Sequence, residues 1–147
     1  MTVTPGTKIA VFGGGIMGQG ICQALLMGGY DIALCDISQD ALETARAHIK
    51  TSLEDLGKFD LLKDPQAALN RLTLTTDKAE ARKGAVMVME VIIEDLEGKR
   101  AFLAECEKIA EPETIFATNT SHLNPADHFS KLQPNYRAVA AHWCNPA

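Results

Sequence analysis

The sequence has no apolar run long enough to span a bilayer. It also has no basic tract: 14 Lys and Arg stand against 19 Asp and Glu, for a net charge of -5. That balance argues against nucleic acid or an acidic membrane surface as partner. There is no C-x-x-C; Cys22, Cys35, Cys106 and Cys144 lie far apart, with no histidine at ligand spacing. Neither a disulfide framework nor a metal site is expected, and the cysteines read as buried, reduced thiols. The start, Met1 to Thr7, carries neither an apolar signal core nor an Arg-rich leader, which makes the cytoplasm the expected compartment. No internal repeat or low-complexity linker divides the chain. What is present is 147 residues, 46% hydrophobic and 22% charged, enough for one domain over 1–147 with a real core.

The stretch Lys8 to Gly20, KIAVFGGGIMGQG, organises the rest. Ile9 to Phe12 is fully apolar and predicts a central strand of a parallel sheet covered on both faces. After the glycines, Met17, Ile21, Ala24, Leu25 and Gly28 share one helical face that ends at Gly28 and Gly29. Asp31 to Cys35 predicts a second strand, stopped by Asp36. Strand, glycine turn, helix, strand and acid make the βαβ unit of dinucleotide-binding sheets.

From Ser38 a helical stripe runs through Leu42, Ala45, Ile49, Leu53 and Leu56 towards Gly57. Asp64 then caps a second short helix that opens on Pro65 and reaches about Asn70, so the two form an inserted helical hairpin. Further strands are predicted at Leu72–Thr75, Val86–Ile93, Ile115–Thr118 and Tyr136–Ala141, the last delivering His142. Helices are predicted at Asp77–Lys83 and along Lys99, Phe102, Leu103, Cys106, Ile109 and Ala110, where Pro112 terminates the pattern; Pro125 is placed to start one turn. The fold class is α/β: a Rossmann-type, doubly wound, mostly parallel sheet with right-handed crossovers.

Gly13, Gly15 and Gly18 satisfy G-x-G-x-x-G in the context that gives the motif meaning. The first permits the tight turn, the second lets backbone approach a pyrophosphate, and the third lets helix pack on strand. The helix N-terminus then presents free N–H groups and a positive dipole end. Gly13, Gly15, Ile16, Met17 and Gly18 are therefore the cofactor-binding candidates of the turn. Asp36, eighteen residues past Gly18, suits a ribose 2′-hydroxyl and repels a 2′-phosphate, and the next basic residue is Arg46. NAD is the expected cofactor. Glu90, inside an apolar strand, either faces the ligand crevice or is held by backbone donors and a partner. Glu94 and Lys99 lie just past that strand, where open α/β sheets bind ligands. His48 and His128 read as solvated, whereas His142 follows an apolar strand, where a neutral imidazole works as a base.

Taken together, GGGIMGQGI, Asp36, EVIIEDLEGK from Glu90 to Lys99, ATNTS from Ala117 to Ser121 and HWCNP from His142 to Pro146 resemble the N-terminal domain of 3-hydroxyacyl-CoA dehydrogenases, enzymes of fatty-acid β-oxidation. The resemblance implies that His142 is the base for the 3-hydroxyl proton and that Ser121 hydrogen-bonds the substrate oxygen. It implies Asn119 beside the nicotinamide, Glu94 and Lys99 around the ribose, and the hairpin as an arm along an acyl-CoA substrate, with Ser52, Lys58 and Asn145 as substrate contacts. It further implies a helical C-terminal domain that closes the acyl pocket and forms a homodimer, and a glutamate about a dozen residues past the histidine. This chain ends five residues after His142, so impaired turnover is expected of it alone. His122 stands where the family usually has a small hydroxyl residue, and Trp143 with Cys144 replaces two phenylalanines. Two other readings stay open: an NAD enzyme of a non-CoA hydroxy acid, and a non-catalytic NAD-binding or structural protein.

Overall fold

The computed structural model describes residues 4–132 and 137–144. Six strands form one sheet: β1 (Lys8–Phe12), β2 (Asp31–Cys35), β3 (Leu72–Thr75), β4 (Met87–Glu90), β5 (Ile115–Thr118) and β6 (Ala138–Ala140). Their order is β3-β2-β1-β4-β5-β6 and every neighbouring pair is parallel. The sheet is thus wholly parallel where a mostly parallel one was expected. The helices are α1 (Ile16–Met27), α2 (Gln39–Lys58), α3 (Pro65–Leu69), α4 (Lys78–Arg82), α5 (Leu96–Glu107) and α6 (Pro125–His128).

Parallel strands need crossovers, and the crossovers cover both faces, which is why β1 and β2 read as unbroken apolar runs. One core cluster joins Ile9, Val11, Ile32 and Leu34 to Ile21, Leu42, Ile49 and Leu53 of α1 and α2. The other joins Ala10, Phe12, Val88 and Phe116 to Ala81, Phe102, Leu103 and Leu132 on the opposite face. Strand order reverses between β1 and β4, whose carboxyl ends meet at Phe12 and Glu90. A crevice outside the carboxyl ends at such a reversal is where open α/β sheets bind ligands.

Most caps are local side chains. Ser38, Asp64, Asp77, Asp95 and Asn124 each accept a backbone N–H at the start of α2, α3, α4, α5 and α6. Such a cap is worth about 1 kcal/mol. The hairpin closes because Gly57 lies against the Pro65 ring, where an added Cβ would sit 2.6 Å from Pro65 Cγ.

Several expectations are corrected. The α1 stripe is rotated by about one residue: Gly18, Ile21, Cys22 and Leu26 are buried, because contact at Gly18 sets the helix's roll. β4 ends at Glu90, and Val91 to Ile93 leave the sheet. α5 ends at Glu107, so Ile109 is 54% exposed instead of completing a buried face. Cys144 is exposed, while Cys22, Cys35 and Cys106 are buried as free thiols. Burial pushes Cys35 and Cys106 up to about 11, so they are poor nucleophiles. Tyr136 lies outside the described residues.

Candidate functional site

The turn after β1 is built from three different glycine requirements. Gly13 has φ +115°, and a Cβ there would come within 2.5 Å of Val91 O. A Cβ on Gly18 would come within 1.8 Å of Gly13 O, so only glycine lets α1 approach the turn. Gly15 differs: a Cβ there would meet nothing within 4 Å. Gly15 is also the N-cap of α1, with no side-chain cap and no acidic residue in the first turn. The unsatisfied N–H groups and the dipole of this helix therefore face open space, an arrangement suited to a diphosphate.

Beside the turn lies a pocket of about 670 Å³, lined by Gly13, Gly14, Gly15, Asp36 and Ile37 on one side and Val91, Ile92, Ile93, Ala101 and Phe102 on the other. Asp36 reaches both walls of its corner: Oδ2 accepts from Gly14 N–H at 2.7 Å and Oδ1 from Ser38 N–H at 3.0 Å. A carboxylate has about four acceptor sites, so lone pairs remain for a ribose diol. The pocket, the glycine cradle and this carboxylate together fit NAD. Asp36→Asn should weaken NAD binding roughly tenfold and improve NADP relative to NAD; paired calorimetric titrations check this, and an unchanged NAD to NADP ratio would remove Asp36 as the discriminator.

A second pocket of about 200 Å³ adjoins the first and shares Val91 and Ile92 with it. Its lining includes Met17, Glu94, Lys99, Asn119, Ser121 and His122. At its mouth Ser121 Oγ lies 3.1 Å from His142 Nε2. Both side chains are exposed, and β5 and β6 bring them together across 21 residues of sequence. Ala141 N–H donates to Thr118 O, and Trp143 N–H donates to Asn119 Oδ1 at 2.6 Å. The histidine segment is thereby pinned on both sides to the loop that carries Ser121.

Glu94 anchors that loop from below. Its Oε1 accepts from Thr120 Oγ1, from Ser121 N–H at 3.0 Å and from His122 N–H at 3.3 Å. Partial burial pushes its carboxyl upward, but the hydrogen bonds from Thr120, Lys99 and His122, with the Lys99 charge, outweigh it and hold the group down to about 2. A depressed carboxyl stabilises the fold fully above its unfolded value near 4.5, and that contribution is lost as pH falls towards 2. The Tm difference between wild type and Glu94→Gln should therefore be constant from neutral pH down to about 5 and shrink only below that; thermal melts across the acid range measure it, and a difference independent of pH would contradict it.

The remaining candidates divide. Gly13, Gly15 and Asp36 line the larger pocket; Met17, Glu94, Lys99, Asn119 and Ser121 line the smaller. Ile16 lines neither and is 74% exposed. Lys99, expected as a contact around the ribose, is 1% exposed and gives its ammonium to Glu90 Oε1 at 2.6 Å and Glu94 Oε2 at 3.1 Å. Ser52 donates to Gln23 Oε1 on α1, and Lys58 pairs with Asp55 in solvent; neither lines a pocket. Asn145 lies outside the described residues. His128 is 1% exposed against Glu90, not solvated, since α6 tucks it beneath β4 and β5 beside buried Phe129. Gly14, Lys78 and Glu105 also line the larger pocket and were not among the candidates. Lys78 and Glu105 pair across its edge at 2.8 Å. In the sequence only Glu105 gives a hint, three residues past Phe102 on α5; Lys78 opens the separate helix α4.

Among the described residues no group of three or more His, Cys, Asp or Glu side chains is placed to hold a metal ion, and no helix is long and apolar enough to cross a membrane. The fold and the two joined pockets define an NAD-binding Rossmann domain of dehydrogenase type. Residues 8–147 match the family described as 3-hydroxyacyl-CoA dehydrogenase, NAD binding domain, and the chain belongs to it. It is 33% identical over 146 residues to a probable 3-hydroxyacyl-CoA dehydrogenase of Caenorhabditis elegans, covering 95% of this chain and 47% of that protein. It is 32% identical to the mitochondrial hydroxyacyl-coenzyme A dehydrogenase of Rattus norvegicus, covering 94% and 46%. The structure of 3-hydroxybutyryl-CoA dehydrogenase from Escherichia coli superposes with a TM-score of 0.91 at 31% identity, covering 99% of this chain and 31% of that one. The chain spans about half the length of the curated relatives it matches.

Proposed function

We propose that this domain serves the NAD-linked oxidation of the 3-hydroxyl of an acyl-CoA, or its reversal. The observation that carries the reading is the 3.1 Å contact between Ser121 Oγ and His142 Nε2 at the mouth of the smaller pocket. With Nε2 unprotonated, His142 accepts the hydroxyl proton of the substrate, and Ser121 holds the same oxygen by its own O–H. When bound, NAD supplies the hydride acceptor. Gly13, Gly15 and the α1 N-terminus would hold its diphosphate, Asp36 its adenosine ribose, and Met17, Glu94 and Asn119 the nicotinamide end. Ser52 and Lys58 lie on the hairpin and line neither pocket, so any contact they make would be to the CoA tail beyond them.

Incubation with NAD and either 3-hydroxybutyryl-CoA or free 3-hydroxybutyrate tests the reading through NADH absorbance. NADH should accumulate with the thioester, slowly because this domain alone is expected to be impaired in turnover, and not with the free acid. Equal turnover of the free acid would point to a non-CoA hydroxy acid; NAD binding with no turnover of either would favour a non-catalytic NAD-binding protein.

A further inference from the structure

Glu90 lines neither pocket and is 0% exposed, yet four groups converge on its carboxylate. Oε1 accepts from Lys99 Nζ at 2.6 Å and from Ile92 N–H at 2.8 Å. Oε2 accepts from Thr118 Oγ1 at 2.7 Å, and His128 Nε2 lies 3.4 Å from it. A buried carboxylate with so many partners is costly to lose, and its partners lead in two directions.

The first direction is the loop after β4. Glu90 holds Ile92 N–H, and Lys99 donates to Ile92 O at 3.2 Å, so the strand's own last side chain ends the strand and folds Val91 and Ile92 into the wall common to both pockets. The second is the loop after β5. Glu90 O accepts Asn119 N–H, Thr118 Oγ1 accepts Thr120 N–H, and Lys99 passes from Glu90 to Glu94, which holds Ser121 and His122. We propose that Glu90 is a positioning residue for the nicotinamide-side pocket, fixing through Ile92, Thr118 and the Lys99–Glu94 pair the two loops that form its walls and present Ser121.

His128 completes the arrangement by shielding Oε2. Burial holds its imidazole below the usual range against the opposing pull of Glu90. It therefore stays neutral near pH 7 and leaves Lys99 as the cation that the two carboxylates share. The ammonium is thus directed by fixed partners on both sides.

The inference rests on the assignment of the smaller pocket to the nicotinamide end, so the test compares ligands that reach it with ligands that do not. ADP-ribose fills the larger pocket alone, and NADH reaches both. Glu90→Gln should raise the dissociation constant of NADH about tenfold and that of ADP-ribose much less, since ADP-ribose meets only the shared Val91–Ile92 wall while NADH also meets the loop after β5. Equal changes for the two ligands, or none for either, would overturn the inference and leave Glu90 a structural residue. Should that variant fail to fold, Thr118→Val removes a hydrogen bond to Glu90 Oε2 at a residue that lines neither pocket and is read by the same ratio. Wild-type binding of NADH no tighter than ADP-ribose would instead remove the pocket assignment, and the inference with it.

Discussion

Gly18→Ala should lower the melting temperature by on the order of 10 °C and abolish measurable NAD binding, whereas Gly15→Ala should leave the melting temperature unchanged and weaken NAD alone. The two substitutions add the same methyl three residues apart, and the structure separates them. At Gly18 the methyl would fall 1.8 Å from Gly13 O, a backbone atom that cannot turn aside. Either α1 shifts outward, opening the contact of Ile21, Cys22 and Leu26 with the sheet, or the glycine turn is pushed off its φ of +115° at Gly13. Overpacking of that kind costs about 3 kcal/mol or more, which at this chain length is the predicted shift. At Gly15 the backbone is at φ -67°, which alanine adopts freely, and nothing lies within 4 Å. The methyl there occupies only the space in front of the uncapped helix. Thermal melts with calorimetric titration of both variants read the difference; similar melting temperatures for the two would show that the close helix–turn contact is not needed for the fold.

The elements legible in the sequence are those whose cause is local. Ile9 to Phe12, the glycines and Asp36 follow one another within thirty residues, and each has a backbone reason that the residue type expresses directly. The stripe of Leu42, Ala45, Ile49 and Leu53 was equally plain because a long helix gives periodicity room to show. What escaped depended on contacts across the sheet. Val91 to Ile93 have every property of a strand, and they leave the sheet because Glu90's own carboxylate captures Ile92 N–H. His128 looks like a surface residue among polar neighbours, and Lys99 falls on the apolar face of α5 with nothing local to show what pairs its charge; both are buried because a partner carboxylate waits on β4. The pairing of Ser121 with His142 was legible only through the family resemblance, since no periodicity links a loop after β5 to the end of β6. The order of the strands does so physically, placing β6 directly beside β5 so that both chain segments emerge at one edge of the crevice.

Replacing His142 by Gln should lower the oxidation rate of a 3-hydroxyacyl-CoA by about 10²–10⁴-fold while leaving NAD affinity and stability unchanged. Glutamine keeps a polar group within reach of Ser121 but cannot take up a proton near neutral pH. Affinity is spared because His142 lines neither pocket. Stability is spared because its side chain is exposed and makes one hydrogen bond, to Ser121, of the kind whose surface loss costs within about 0.5 kcal/mol. The segment itself stays in place, since Ala141 and Trp143 are held through backbone N–H groups that the substitution does not touch. Ser121→Ala should fall between: it removes one hydrogen bond to the reacting oxygen and leaves the base, for a loss of about tenfold. The ordering is the informative part. A base and a hydrogen-bond donor acting on one oxygen must rank with the base as the larger loss, and initial rates of NADH formation for the two variants measure that rank. Equal, small losses at both positions would mean that the imidazole is not the proton acceptor, and the 3.1 Å contact would then be a structural tie between β5 and β6.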